Sequence, residues 1–312
     1  GSVGLRESNR SFADEIGADD PVWIVGHSTR TQPHSHVRHV RAPRGIHSFE
    51  PDEMTVTCGA GTSLEELDAA LAGAGQYANL GQLRHSSGTV GGAIAMACND
   101  HLRLGRGPIR DSLLEVHLVD GNGVLAKGGG PTVKNVSGFD LCRLVVGSRG
   151  SLGAIAEVTL RTRPIARSLR WFIVSNVGTS ELGAIRAGVH RPSSFLWDGR
   201  RAWLCLEGHP HDIATQVEAL RSRDLDVTDH HGEIGLGDFQ YRWSIDPANV
   251  VACVEQHPES CIAEVGVGIV HHRRAQPPRS VDPGARAIQS RLLDAFDPRR
   301  RLNPGLGDPW TW

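Results

Sequence analysis

Val133–Glu157 reads VKNVSGFDLCRLVVGSRGSLGAIAE, with glycines at 138, 147, 150 and 153, and this spacing decides the reading of the fold. Glycine recurs where the main chain must turn tightly or lie close against something flat and bulky. A single cluster of this kind marks turns in any α+β protein. Here two more precede it, AGTSLEELDAALAGAGQ at Ala60–Gln76 and GTVGGAIAMACND at Gly88–Asp100. Three in series over the first half of the chain predict a domain that cradles a ligand with its backbone.

The surrounding chain is built to fold. It has 312 residues with 39% hydrophobic content, enough for a real core and for two units. Thirty-three basic and thirty-five acidic residues nearly cancel, which excludes a global field for nucleic acid or an anionic membrane. The short basic run Arg299–Arg301, beside Asp297-Pro298, reads as a solvated turn. Six cysteines (Cys58, Cys98, Cys142, Cys205, Cys253, Cys261) form no CxxC pair and sit in apolar surroundings, the pattern of buried free thiols in a reducing cytosol. No apolar run is long enough to span a bilayer, and no apolar stretch follows a basic start, so the expected location is cytoplasmic.

Pro21–Val25 is a short apolar run that predicts a buried strand, ending at Gly26 in a polar loop that reaches about Pro33. Met54–Thr57 begins another strand. Thr62 and Ser63, each followed three residues later by Glu65 or Glu66, form a capping-box signature, and Leu64, Leu67 and Leu71 give the following helix an apolar face. Leu113–Val119 alternates and runs through Asp120-Gly121-Asn122-Gly123 into Val124–Lys127, a hairpin pattern. Gly128-Gly129-Gly130 precedes Pro131 rather than a helix start and reads as a flexible connection. After Pro164 the character changes: Trp171–Val174, Ala202–Leu206 and Ala263–Val270 predict strands, Ile213–Leu220 a helix, and Arg291–Pro304 an amphipathic helix stopped at Asp297-Pro298. The boundaries expected are 1–164, 165–290 and 291–312.

The common nucleotide signatures are missing. No GxGxxG follows a strand and no GxxxxGK[ST] occurs. What the three glycine clusters do resemble, in order and spacing, is the FAD domain of the vanillyl-alcohol-oxidase/PCMH flavoprotein family, and within it the FAD-binding accessory subunits of bacterial glycolate oxidase. The resemblance implies an α+β fold: a PCMH-type FAD-binding domain of two α/β subdomains, then a smaller α+β cap domain, with the C-terminal helix and tail returning to the FAD domain.

It also implies FAD contacts. The diphosphate loop falls on Gly26, His27, Ser28, Thr29, Arg30 and Thr31, where only Gly26 remains of the family's glycine run and hydroxyls stand in for amide donors. Gly88, Thr89, Gly91 and Gly92 fall at the turn passing the diphosphate and ribityl chain, and Gly107, Ile109, Arg110 and Asp111 at the next stretch of cofactor. Lys134, Asn135, Gly138, Phe139 and Asp140 match Lys-Asn-x-x-Gly-Tyr-Asp with phenylalanine for tyrosine. Gly150, Gly153, Ala154 and Ile155 correspond to amides near the pyrimidine edge of the ring. Leu302-Asn303-Pro304-Gly305 matches the closing LNPG, which makes Asn303 a cofactor contact or a turn residue. Some relatives tether the flavin through a histidine in a Gly-His-Ser loop; the accessory-subunit likeness favours an untethered flavin and leaves His27 a loop histidine.

The histidines at 34, 36 and 39, at 230–231 and at 271–272 lack HExxH spacing, so no metal site is expected. The functional expectation is an FAD-binding subunit of a 2-hydroxy-acid, glycolate-type oxidase or dehydrogenase. A larger catalytic flavin subunit and an iron–sulfur subunit are the expected partners, with any membrane attachment peripheral and through them. Two alternatives stand beside it: a self-sufficient FAD-dependent oxidase or dehydrogenase of a hydroxy acid or sugar, and a non-catalytic assembly subunit. The cap offers Arg191, Arg200, Arg201, Arg242, His271 and His272 without a spacing that marks them as a set, so no catalytic residue is assigned.

Overall fold

The chain is a mixed α and β protein, and its computed structural model describes residues 6–27, 36–81, 87–130, 140–232, 234–278 and 282–306. These fall into two units. The first comprises 1–100, 108–165 and 280–311, and the second 101–107 and 166–279.

The spine of the first unit is the eleven-residue strand β8 (Ala154–Pro164), paired antiparallel with β4 (Thr55–Gly59), β6 (Leu113–Val119) and β5 (Gln76–Ala78). The sheet continues outward to β3 (Ile46–Glu50) beside β4 and to β7 (Leu125–Gly129) beside β6. Alternation explains its faces. Val56, Cys58, Val116, Leu118, Val158 and Leu160 point into a core closed by Leu64, Leu67 and Leu71 of the helix Leu64–Ala72 and by Val90, Ala93 and Ile94 of the helix Val90–Ala95. The first of these helices starts as expected: Ser63 caps it by accepting from Glu66 N at 3.0 Å. Thr62 is instead buried, its hydroxyl donating to Gly45 O and accepting from Gly45 N.

The opposite face carries a buried polar network. Glu157 Oε2 accepts from His47 Nδ1 and from Arg6 Nε, and Glu115 pairs with His117 Nε2 and Lys127 Nζ. Beyond it, Phe12, Ala13 and Ile16 of the helix Glu7–Ile16 pack on Val119, Ala154 and Ala156. Ala156 is an extra residue in β8, since Glu157 opposes His117 while Ile155 opposes Leu118. That bulge keeps Ile155 on the same core face as Val158.

Several sequence expectations change. The Asp120–Gly123 turn closes a hairpin, with Asp120 Oδ1 accepting from Asn122 N and Val124 N, but the second strand includes Gly128 and Gly129 instead of ending before a flexible link. A Cβ on Gly128 would sit 2.4 Å from Leu141 Cβ, and one on Gly129 2.1 Å from Leu114 O, so tight packing places these glycines. The final helix is Pro283–Phe296, capped by Asp282 with proline in its first turn, and thus starts eight residues before Arg291. Arg301 is no solvated turn residue. It is 2% exposed, and its guanidinium donates to Ile16 O (2.6 Å), Asp20 O (3.0 Å) and Gly121 O (3.5 Å). The expected thiol burial is seen at Cys58, Cys142, Cys205 and Cys261, while Cys98 and Cys253 are half-buried. Burial, reinforced by nearby carboxylates, pushes the Cys58 and Cys142 thiols up to about 12.

The second unit is a seven-stranded antiparallel sheet in the order β12 (Asp226–His230), β9 (Ser168–Ser175), β11 (Ala202–Gly208), β10 (Ser194–Trp197), β14 (Cys261–Glu264), β15 (Ile269–His272), β13 (Tyr241–Ser244). The single strand expected over Ala263–Val270 is a hairpin that turns through Gly266 and Gly268, both at positive φ. Helices Thr179–Gly188, Pro210–Arg221 and Val250–Gln256 cover one face over Phe172, Trp197 and Leu204. The buried Trp197 donates its Nε1 proton to Val177 O at 2.9 Å. Leu196, Trp203 and Ile262 lie on the other face with Ile234, Leu236 and Phe239.

Replacing Arg301 with leucine removes the donor to Asp20 O and Gly121 O and leaves Ile16 O only the bond from Arg38 Nη2. We expect a loss of about 1–3 kcal/mol of unfolding free energy in urea. An unchanged midpoint at unchanged slope would refute the buried-clamp role.

Candidate cofactor-binding site

A cleft of about 840 Å³, counted out to its open mouth, runs through the first unit. Its walls are the end of β1 (Val22–Ile24) with Gly26 and His27, the residues after β4, the helix Val90–Ala95, the Arg149–Gly150 turn, the Gly153–Ile155 start of β8, and Asn303. Of the twenty described lining residues six are glycine and four alanine, so the walls are largely main chain.

Much of that smallness serves the protein's own packing. A Cβ on Gly61 would lie 2.3 Å from Ala42 O, one on Gly91 2.9 Å from Ala60 Cβ, and one on Gly153 2.5 Å from Leu118 Cγ. Gly150 adopts φ +72°, and a Cβ there would lie 2.4 Å from Asn303 Nδ2. The hollow is what remains when these segments close on one another.

Asn303 is the tie. Its Oδ1 accepts from Ile24 N at 2.8 Å, its Nδ2 donates to Gly150 O at 3.1 Å, and its own amide donates to Val22 O at 2.8 Å. Asn303 holds φ +48°, a left-handed conformation that asparagine tolerates. Both atoms of its side-chain amide are used in joining three segments around the cleft.

Backbone donors facing the cleft are largely spent. Ile24 N bonds Asn303, Val25 N bonds Val40 O, Ala60 N bonds Ala156 O and Gly61 N bonds Pro43 O. Gly91 N bonds Ala60 O, Gly92 N bonds the Thr89 hydroxyl, Arg149 N bonds Ala95 O and Gly150 N bonds Ser148 Oγ. The lining also holds the hydroxyl of Thr89, the imidazole of His27 and the guanidinium of Arg149. His27 is exposed, with Nδ1 2.7 Å from Ser87 O, which fixes the Nδ1–H tautomer and leaves Nε2 as the ring's other nitrogen. The described lining contains no carboxylate.

The expected contacts divide accordingly. Gly26, His27, Thr89, Gly91, Gly92, Gly150, Gly153, Ala154, Ile155 and Asn303 come together in this lining. Gly88 stands just before it, its carbonyl accepting from Leu64 N. Gly107 belongs to the second unit, with its amide on Arg103 O. Ile109 is buried in the core of the first unit and its amide donates to Asn99 Oδ1. Arg110 and Asp111 are exposed neighbours 3.8 Å apart, and Asp140 caps the helix Leu141–Val145. Ser28, Thr29, Arg30, Thr31, Lys134, Asn135, Gly138 and Phe139 lie outside the described residues. Sequence reasoning missed Trp23, Ile24, Val25, Ala42, Ala60, Gly61, Ala95, Met96, Arg149 and Leu306; of these Ala60, Gly61, Ala95, Met96 and Arg149 lie inside the glycine-rich clusters and so carried a local signal.

Residues 21–129 match the family described as FAD binding domain. The glycolate oxidase subunit GlcE of Escherichia coli is 32% identical over 190 residues, which cover 60% of this chain and 54% of that protein. A D-lactate dehydrogenase of Archaeoglobus fulgidus is 35% identical over 130 residues, 38% of this chain and 27% of the relative. The glycolate oxidase subunit GlcD of Bacillus subtilis is 37% identical over 76 residues, 24% of this chain and 16% of the relative. The matched stretches thus span about half of the first relative and less of the others. Among solved structures, alkyldihydroxyacetonephosphate synthase shares the fold with a TM-score of 0.65 over 96% of this chain and 74% of its own, at 13% identity. Residues 21–129 are thus similar to an FAD-binding domain. Small-residue walls and the absence of described lining carboxylates fit an anionic dinucleotide.

Asn303→Asp tests the tie, because aspartate keeps the left-handed backbone and an acceptor for Ile24 N but cannot donate to Gly150 O. We expect weaker FAD retention on gel filtration and a lower melting temperature. Wild-type values for both would remove Asn303 from the architecture of the cleft.

Proposed function

We propose that this chain is the FAD-binding subunit of a system that oxidises 2-hydroxy acids of the glycolate type, acting beside a larger catalytic flavin subunit and an iron–sulfur subunit. The observation that carries the reading is the glycine-walled cleft in the unit that resembles the glycolate oxidase subunit GlcE. FAD bound there supplies hydride acceptance and onward transfer of electrons. Gly26, His27, Thr89, Gly91, Gly92, Gly150, Gly153, Ala154 and Ile155 hold it, with Asn303 keeping the walls together. The accessory-subunit likeness supports an untethered flavin, with His27 a loop histidine whose Nδ1 donates to Ser87 O.

Substrate chemistry needs a base at the hydroxyl and a cation for the carboxylate, placed together. In the second unit such groups have partners of their own. Arg201 pairs with Asp198 at 3.2 Å, Arg200 with Glu259 at 3.6 Å, and His271 Nε2 with the buried Glu264 at 2.8 Å. His272 stacks on Trp243 at 4.0 Å, and burial, helped by His257 and Arg274, lowers its pKa. This supports a substrate site on a partner chain. One feature favours the self-sufficient alternative: Arg242 stands directly across the β13–β15 pair from His271, so a guanidinium and a carboxylate-oriented imidazole share one sheet face.

The purified chain should carry one FAD that acid releases unmodified, as chromatography of the extract would show. A colourless chain that cannot be reconstituted with FAD would refute the flavin reading. In stopped-flow mixing, glycolate and D-lactate should leave the flavin oxidised while dithionite bleaches it. Rapid bleaching by a hydroxy acid, abolished in His271→Gln, would instead establish the self-sufficient enzyme.

A further inference from the structure

We propose that His272 is a proton-operated latch on residues 274–276, which close the outer edge of β13, and that acid opens it. Arg274 N donates to His272 Nδ1 at 2.8 Å, and Trp243 Nε1 donates to Arg274 O at 2.7 Å. Two stacked rings thus hold both backbone ends of one residue. Two positions on, Gln276 Nε2 donates to Ser244 O at 3.0 Å and Gln276 Oε1 accepts from Ser244 N at 3.1 Å. This side-chain amide takes the place of a neighbouring strand along β13, the end strand of the seven-stranded sheet.

The imidazole can hold this segment only while it is uncharged. A backbone N–H cannot accept, so Nδ1 must carry a lone pair and the ring's proton sits on Nε2. His272 is buried, and its Nε2 has no hydrogen-bond partner among the described residues. A second proton would set Nδ1–H against the Arg274 N–H and leave the ring with two donors and an acceptor for neither. Turning the ring over gives no relief, because both nitrogens of an imidazolium are protonated.

The groups packed round the ring bring no compensating negative charge. Trp243 of β13 lies flat on it at 4.0 Å, and His257, which follows the helix Val250–Gln256, meets it edge to face at 5.0 Å. Cys261 of β14 stands directly opposite, and Cys253 of that helix acts on Cys261. Burial pushes the Cys261 thiol up to about 12 and raises that of Cys253, so both stay neutral. The charged groups that act on His272 are His257, once protonated, and Arg274, both of which would repel a new cation. Burial first, and then these two, hold its pKa below the ordinary histidine value. An indole face attracts a cation but offers the extra proton no acceptor. A released ring takes up a proton at about pH 6.5 and the latched ring resists it, so the latch is fully held above that pH and weakens below it.

Hydrogen exchange of the full chain, read by NMR at the Arg274 amide and the Trp243 indole N–H and corrected for the intrinsic pH dependence of exchange, tests the latch. With one proton taken up on opening, protection at both sites should fall about tenfold per pH unit below about 6.5. His272→Asn puts an amide oxygen, which accepts without titrating, in place of the ring nitrogen, and its protection should be level with pH. In His257→Gln the fall should persist. A fall that survives in His272→Asn, or wild-type protection independent of pH, would overturn the proposal, as would an equal fall throughout the second unit's sheet, which would mean general unfolding. Should His272→Asn not fold by thermal melt, the ring-nitrogen shifts of His272 in the wild-type chain at neutral pH decide: the Nε2–H tautomer supports the latch, and a charged ring or the Nδ1–H tautomer overturns it.

Discussion

The side-chain amide of Asn303 is the interaction on which the first unit turns. It accepts from residue 24 and donates to residue 150, positions that sequence keeps far apart, while its backbone amide reaches Val22. A buried amide with both ends satisfied is worth far more than its net pairwise energy suggests, because opening any one bond leaves a desolvated group behind. The segment carrying it is fixed in turn by Asp297, whose carboxylate accepts from Arg301 N and Leu302 N, and by the guanidinium of Arg301 on three carbonyls. The last part of the described chain is therefore the keystone of a cleft whose other walls come from its first half.

The shape of the cleft follows from how β8 loses its neighbour. Pairing with β4 ends at Gly59 opposite Glu157, and past that point the chain after β4 keeps only the bond from Ala60 N to Ala156 O. The bulge at Ala156 coincides with this departure. It turns Ala154 and Ala156 onto the helix Glu7–Ile16 and holds Ile155 over the core, so the start of β8 presents main chain and small side chains to the hollow. Glycines at 61, 91 and 153 then let neighbouring backbones close without a Cβ between them. A main-chain-walled groove results from internal contacts alone.

How much of this was legible depends on the range of the interactions. The helix Leu64–Ala72 could be read because its cap and its leucine stripe are local, and the hairpin at Asp120–Gly123 because Asp120 and the glycines act within four residues. The hairpin inside Ala263–Val270 was hidden, since Gly266 and Gly268 sit in an apolar run that imitates one continuous strand. The final helix begins at Pro283, ahead of the expected Arg291, because proline belongs in a helix's first turn. The glycines of the site announced themselves, but their reason did not: Gly61 answers to Ala42, Gly153 to Leu118 and Gly150 to Asn303, partners that only the fold supplies. Arg301 misled for a related reason, because three carbonyls distant in sequence draw it out of water.

The charged groups of the two units are disposed differently, and the difference bears on which unit meets a ligand. In the second unit His271 is held by Glu264, and both are almost wholly buried. Recruiting that imidazole for catalysis would require giving up a charge-assisted bond in a low-dielectric place, a cost that grows with burial. In the first unit the cleft meets solvent with an imidazole, a hydroxyl and a guanidinium among its walls and no described acid beside them. Among the described residues, the charged groups of this cleft are thus more open to solvent than the buried pair of the second unit.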